Sequence, residues 1–351
     1  MLRYILFALV LDAGTRGLAQ PATAQSATPT DARNLLTDAA AYYDLSSENL
    51  KPWHLRATYR LYDLAGNPSA EGPWEYWWLS PKVHRRTWTR AGAERTDWYT
   101  AEGALYRKES GTPLTHFERT IEGELISPLP PKSLVDSGRI RLDLKMLPAG
   151  SGQLACAIST FQWIVDGKPQ APSSGMQTYY CFDLPTLALR MVHSESVTTE
   201  FNRIVKTQGR YLAQEMTVSI GKVNVFSVSV EKIEGISSTN AALTPASDAV
   251  PVLETVSQPS GDQVATGLVK KTQPVYPITA KSSHIQGTVV LAATIGKDGK
   301  IRDLEVLASP ASILTASALD AVKRWEYKPH LLNGAPVEVD TLVNVIFSLS
   351  P

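Results

Sequence analysis

The residues able to do chemistry are few and widely spaced. Cys156 and Cys181, in LACAIST and TYYCFDL, are the only cysteines, and the six histidines stand at 54, 84, 116, 193, 284 and 330. Two thiols are too few for a zinc centre, and the histidines have neither helical nor finger-like spacing. A single disulfide fits two cysteines better. Both lie in strand-like segments, and the intervening VDGKPQAPSSG is rich enough in turn residues to fold one beside the other.

Catalytic arrangements are missing by the same reading. No Gly-x-Ser-x-Gly elbow, HExxH pair or phosphate-cradling glycine loop occurs. Glu122 and Glu124 form an acidic pair, but alternating acids on a surface strand or turn are usually solvated. The expectation is a protein without catalysis, metal or cofactor. Lys and Arg total 34 against 34 Asp and Glu, and no basic run with interleaved aromatics occurs. Nothing concentrates phosphates, so nucleic acid is excluded as a partner.

The elements that must position any site divide the 351 residues into more than one core. The first 24 residues open with the basic Arg3, continue in a short apolar run stopped by Asp12, and close in small residues ending at Ala24. That is the order of a cleaved signal peptide, with cleavage after Ala24 or Ala19, and it predicts export. A spanning helix needs about 20 apolar residues, so a retained anchor is the lesser reading. Export also agrees with a disulfide.

Residues 31–52 read as one amphipathic helix, with Leu35, Leu36, Ala39 and Tyr43 on one side. From 53 to 236 follow short β-rich runs such as LRATYRLYDL, WEYWWLS and KVNVFSVSVEKIE, without a βαβ rhythm. Six of the eight tryptophans fall between Trp53 and Trp98. Core packing in a curved antiparallel sheet is the first explanation, and a concave apolar groove the second. A leading helix before long antiparallel strands resembles the half-barrel of bacterial lipoprotein-carrier and lipoprotein-sorting proteins. That resemblance implies an apolar ligand such as lipid. Residues 237–266, rich in Ser, Thr, Ala and Pro, read as a flexible linker.

The most regular part of the chain is the last. GTVVLAAT and RDLEVLASP are alternating strands joined at Asp298-Gly299, where glycine supplies the positive φ of a tight turn. Val289, Leu291, Ala293 and Ile295 share one face of the first strand. SILTASALDAVKRWEYKP offers Leu314, Ala318, Val322 and Trp325 as a covering helix, with Trp325 and Tyr327 as structural residues. Asn333-Gly334 turns the chain, and VEVDTLVNVIFSLS closes the sheet with Val343, Val345, Phe347 and Leu349 on one face. The fold class is α+β: a β-rich amino-terminal domain over 31–236 and a small two-layer α/β sandwich over 268–351, expected to fold independently.

QPVYP before the first strand, Gly287, the KDGK hairpin, Ala321-Val322, the run Arg324 to Pro329 and the closing VNVIFSL together resemble the TonB carboxyl-terminal domain family. The family's role implies a periplasmic protein that binds a short peptide of an outer-membrane TonB-dependent receptor by strand addition, in support of energised transport. It also implies partner contacts at Gln273, Pro274 and Tyr276, and an open edge along Val339 to Leu349, with Asn344 and Ile346 facing outward. Another reading is that QPVYP only pins the linker. The usual transmembrane anchor and proline-lysine spacer are not recognisable in the sequence, so partner binding is expected to survive more readily than force transmission.

Overall fold

The computed structural model describes residues 31–349 except 64, 139, 151, 162–163, 166–167, 170–176, 195–196, 253–255, 258–266 and 333–334. The signal peptide and the Asn333-Gly334 turn lie outside the described residues. Among these, no helix is long and apolar enough to cross a membrane.

Asp31 accepts the Asn34 amide at 2.8 Å and starts α1 (Ala32–Ala40), which buries Leu35, Leu36 and Ala39. The helix is shorter than the sequence predicts. Tyr43 lies beyond its end but is still buried, and its hydroxyl accepts the Leu189 amide.

The first sheet is built from β1 (Trp53–Tyr62), β2 (Pro68–Trp78), β3 (His84–Arg90), β4 (Ala93–Tyr99) and β5 (Leu105–Gly111), then β6 (Ile140–Ala149) and β7 (Gly152–Phe161). A small separate hairpin, β8 (Ile164–Val165) and β9 (Lys168–Pro169), follows. The sheet continues with β10 (Gln177–Asp183), β11 (Ala188–Ser194), β12 (Val197–Thr207), β13 (Arg210–Ile220), β14 (Val223–Gly235) and β15 (Val250–Pro251). Its thirteen strands run β15-β5-β4-β3-β2-β1-β14-β13-β12-β11-β10-β7-β6, a large curved open sheet. Neighbours are antiparallel, as a chain without βαβ rhythm requires.

One element went unread in the sequence. Between β5 and β6 lies α2 (His116–Ile126), followed by the short α3 (Lys132–Val135). Thr115 and Glu118 form a capping box at the start of α2, and Phe117, Ile121 and Leu125 recur every four residues on its buried face. The helix packs on the face of the sheet carrying Trp53, Trp74, Trp78, Tyr59 and Phe226. Phe117 and Phe226 stack at 5.6 Å.

Part of the expected linker also belongs to the fold. The Trp98 indole donates to Ala242 O at 3.1 Å, Lys108 pairs with Asp248 at 2.8 Å, and β15 adds to β5. Over these residues the segment is held against the sheet instead of hanging free.

The carboxyl-terminal unit comprises β16 (Val256–Ser257), β17 (Leu268–Lys270), α4 (Ile278–Ser282), β18 (Gly287–Ile295), β19 (Ile301–Ala308), α5 (Ser312–Val322), β20 (Glu326–Tyr327), β21 (His330–Leu332) and β22 (Ala335–Phe347). Its sheet runs β16-β22-β18-β19, with β21 also on β22. One face buries Val289, Leu291, Ala293, Ile295, Val343, Val345 and Phe347 against Leu314, Ala318 and Val322 of α5. The opposite face is not solvent-exposed throughout: Val290, Ala292 and Leu307 join the core of the first sheet. The sandwich is therefore not closed on itself, because its second apolar face needs the amino-terminal domain.

Candidate partner-binding site

The hairpin at Gly299 sets the position of β18 and β19. Gly299 has φ +77°, and an added Cβ would stand 1.8 Å from Tyr327 O. The turn therefore needs glycine for its dihedral and for the close approach of β20. The Tyr327 amide donates to Gly299 O at 2.8 Å. Trp325 lies just past the end of α5, where its amide closes a turn on Val322 O, yet it remains in the helix-facing core. Its indole donates to Thr272 O at 2.8 Å, tying the chain entering the domain to the chain leaving the helix.

QPVYP continues that tie. The Ser317 hydroxyl donates to Val275 O, and Tyr276 donates to Ile285 O at 2.7 Å while its ring meets Phe347 edge-on at 5.4 Å. Pro274 and Pro277 keep the preceding residues extended. Tyr276 is an anchor of the strap, whereas Gln273 projects into solvent and Pro274 is half-buried. The two readings of this segment thus divide between its residues: Tyr276 pins, and Gln273 is accessible.

β22 pairs with β18 from Val339↔Ile295 to Phe347↔Gly287. On its other side β16 reaches only Glu338 and Val339. From Asp340 to Phe347 that outer side has no strand partner among the described residues. Amides along a strand point alternately to its two neighbours. The Leu349 amide donates to Gln286 Oε1 at 3.2 Å, on the β18 side. Stepping back by two puts Phe347, Val345 and Val343 on β18 and leaves the amides of Ile346, Asn344 and Leu342 directed to the open edge.

The side chains of that edge are not equivalent. Ile346 is 70% exposed. Asn344, expected to face outward, is half-buried, and its Oδ1 is shut off from water without a partner. Leu342, two residues earlier on the same side of the strand, packs against the core of the amino-terminal domain.

Polar contacts fix this docking. Arg119 Nε donates to Asp340 Oδ2 at 2.8 Å, Thr294 donates to Asp340 Oδ1 at 2.7 Å, and the His116 amide donates to Glu305 Oε2 at 2.8 Å. Burial, aided by Arg119, pushes the His116 imidazole down to about 4, and burial raises the Glu305 carboxyl. Two cavities, of about 290 and 230 Å³, line the seam and share Leu307.

The acids read as a solvated pair are half-buried and lie on a helix. Glu122 and Glu124 lie on α2, where Glu122 takes hydrogen bonds from Arg86 and from Tyr76 and Glu124 accepts from Thr199 at 3.1 Å. Burial raises the Glu124 carboxyl; for Glu122 burial is opposed by the Arg86 and His84 charges and by the hydrogen bonds from Tyr76 and Arg86, which together hold it low. The tryptophans pack as core: Trp53, Trp74, Trp78, Trp88 and Trp98 are all buried. The face expected to offer an apolar groove is occupied by α2. Cys156 and Cys181 are directly opposite on β7 and β10 and form the disulfide. Among the described residues no cluster of metal-ligating side chains occurs.

Within this carboxyl-terminal unit, residues 272–349 match the family described as Gram-negative bacterial TonB protein C-terminal. Protein TonB of Klebsiella pneumoniae is 32% identical over 89 residues, 25% of this chain and 35% of that protein. Protein TonB of Vibrio cholerae is 35% identical over 78 residues, 22% of this chain and 32% of that protein. The chain thus spans about a third of the length of these relatives. Among solved structures, a DUF1329 family protein from Desulfovibrio piger aligns at 11% identity and TM-score 0.38, covering 61% of this chain and 98% of that one. A LolA superfamily protein from Nitrosomonas europaea aligns at 9% identity and TM-score 0.35, covering 62% and 99%. Similarity at that level assigns no fold.

Proposed function

We propose that this chain is a non-catalytic periplasmic protein that takes an extended segment of an outer-membrane TonB-dependent receptor, or a similar periplasmic protein, as an added strand on β22. The amino-terminal domain positions that edge, and the role is support of TonB-dependent transport. The observation that carries the reading is the outer side of β22 from Asp340 to Phe347, which has no strand partner among the described residues while its inner side is paired with β18. Main-chain hydrogen bonds supply the affinity in this mode and need no catalytic side chain or cofactor. Gln273, exposed on the strap anchored by Tyr276, adds a side-chain contact.

Proline substitution tests it. Ile346→Pro and Asn344→Pro each remove an outward amide, and both are expected to abolish binding to an immobilised receptor peptide while Asn344→Ala largely preserves it. Gln273→Ala should weaken binding by about 1 kcal/mol, the worth of one hydrogen bond. A folded Ile346→Pro protein that binds like the parent rules out strand addition here.

The alternative is a carrier of lipid or another apolar ligand that uses the carboxyl-terminal domain for docking. With the tryptophan face filled, such a ligand would occupy the seam cavities. Lipid extracted with the purified protein, and lost on Leu307→Trp, would favour that reading.

A further inference from the structure

The first sheet ends at β6, whose outer side has no strand partner among the described residues. We propose that β6 is a self-complementary edge through which two copies of this chain pair antiparallel, about a two-fold axis at Leu144. This rests on the first sheet alone and is independent of what binds β22.

The direction of the β6 amides follows from its hairpin. Ala149 pairs with Gly152 across two intervening residues, with Gly150 at φ +55°. The residues flanking a two-residue turn exchange both hydrogen bonds. Ala149, Leu147, Lys145, Asp143 and Arg141 therefore bond to β7, and the amides of Met146, Leu144 and Leu142 point to the open side. Pro148 agrees with this phase. It stands at an outward position, where a missing N–H costs the sheet no hydrogen bond.

The side chains are also ordered. Leu142, Leu144 and Met146 form a half-buried apolar row on the core side, and Arg141, Asp143 and Lys145 an exposed row of alternating charge on the other. With the axis at Leu144, that residue faces its own counterpart and Leu142 faces the partner's Met146. Asp143 then faces the partner's Lys145, twice. Opposite charges directly across an antiparallel pair are favourable. Among the described residues Lys145 has no carboxylate partner, while Arg141 already holds Asp143 at 2.9 Å. An axis at Asp143 would set Asp143 against itself and Arg141 against the partner's Lys145. An axis at Leu142 would pair only residues already partnered and leave Lys145 unused. Charge thus selects one register.

Five facing residues bury less than a standard interface, so the dimer is weak and concentration-dependent. Sedimentation velocity on the full chain should show a monomer–dimer equilibrium. Asp143→Lys places like charges opposite at two points and should raise the dissociation constant about tenfold. Adding Lys145→Asp restores opposite charges and should return most of the loss. Leu144→Cys should form an intermolecular disulfide under mild oxidation, since the facing Cα atoms of a hydrogen-bonded pair lie about 5.5 Å apart. Arg141→Cys should not. A protein that stays monomeric at every concentration overturns the proposal, and so does a dimer indifferent to the charge reversal or one in which Leu144→Cys does not crosslink.

Discussion

Arg119 on α2 and Asp340 on β22, 221 residues apart in the chain, form an ion pair of 2.8 Å that joins the two domains. Asp340 is 5% exposed, and its other oxygen is held by Thr294. Removing Arg119 strands a buried carboxylate, whereas removing Asp340 leaves a guanidinium that can still reach water. Arg119→Ala should therefore destabilise the protein by about 3 kcal/mol, and Asp340→Ala by less. The double substitution should recover part of the Arg119→Ala loss, and a chemical-denaturation cycle measures the coupling.

Acid should weaken the fold through two histidines. Burial pushes His84 and His116 down to about 4, and the Nδ1 of each is buried without a partner. Their folded values lie below the unfolded value of about 6.5. The stability they contribute is thus complete above that pH and falls as pH drops from about 6.5 toward 4, by up to about 1.4 kcal/mol per pH unit for each. Asp97, Glu124 and Glu305, raised by burial, act in the opposite direction. His116→Gln and His84→Gln should each flatten the decline in urea midpoint across this window. An unchanged slope in both would refute the assignment.

Much of the carboxyl-terminal unit was legible because its signals are local. The Asp298-Gly299 turn and the face of Val289, Leu291, Ala293 and Ile295 follow from turn chemistry and alternation; in the amino-terminal domain the pairing of Cys156 with Cys181 follows from their being the only two cysteines. The docked face was not read, although VVLAA in β18 is apolar without alternation, the mark of a strand buried on both sides. Val290 and Ala292 are the residues that signal it. The same face bears on the independent folding expected of 268–351, since alone that fragment would expose Val290, Ala292 and Leu307. The helix α2 was hidden by its acids, since Glu118, Glu122 and Glu124 mask the four-residue recurrence of Phe117, Ile121 and Leu125. Partners far away in sequence, such as Tyr59, Arg86 and Thr199, are what make those carboxylates tolerable inside.

Gly299→Ala should be costly, because Gly299 is buried under β20. The left-handed dihedral and the 1.8 Å approach of Tyr327 O act together, and a loss of about 2 kcal/mol or more is expected. Trp325→Ala, which empties a core site and releases Thr272 O, should cost about 3–5 kcal/mol. Thermal melts of the full chain read both, and an unshifted transition in Trp325→Ala would contradict its place in the core.

The disulfide closes a loop of 25 residues' separation between adjacent strands. The chain-entropy estimate for a loop of this size is about 3 kcal/mol. Reduction should lower the unfolding free energy by that order, and thiol titration of the unfolded, unreduced protein should find no free thiol.

Residue-resolved hydrogen exchange tests strand addition at the outer amides of β22 most directly. The full chain would be measured with and without a synthetic peptide from the energy-coupling segment of a TonB-dependent receptor. Before addition, the amides of Val343 and Val345, bonded to β18, should exchange slowly, and those of Asn344 and Ile346 quickly. Binding should slow Asn344 and Ile346 by at least about tenfold and leave Val343 and Val345 nearly unchanged. A peptide that binds while Asn344 and Ile346 exchange as fast as before would contradict strand addition at this edge.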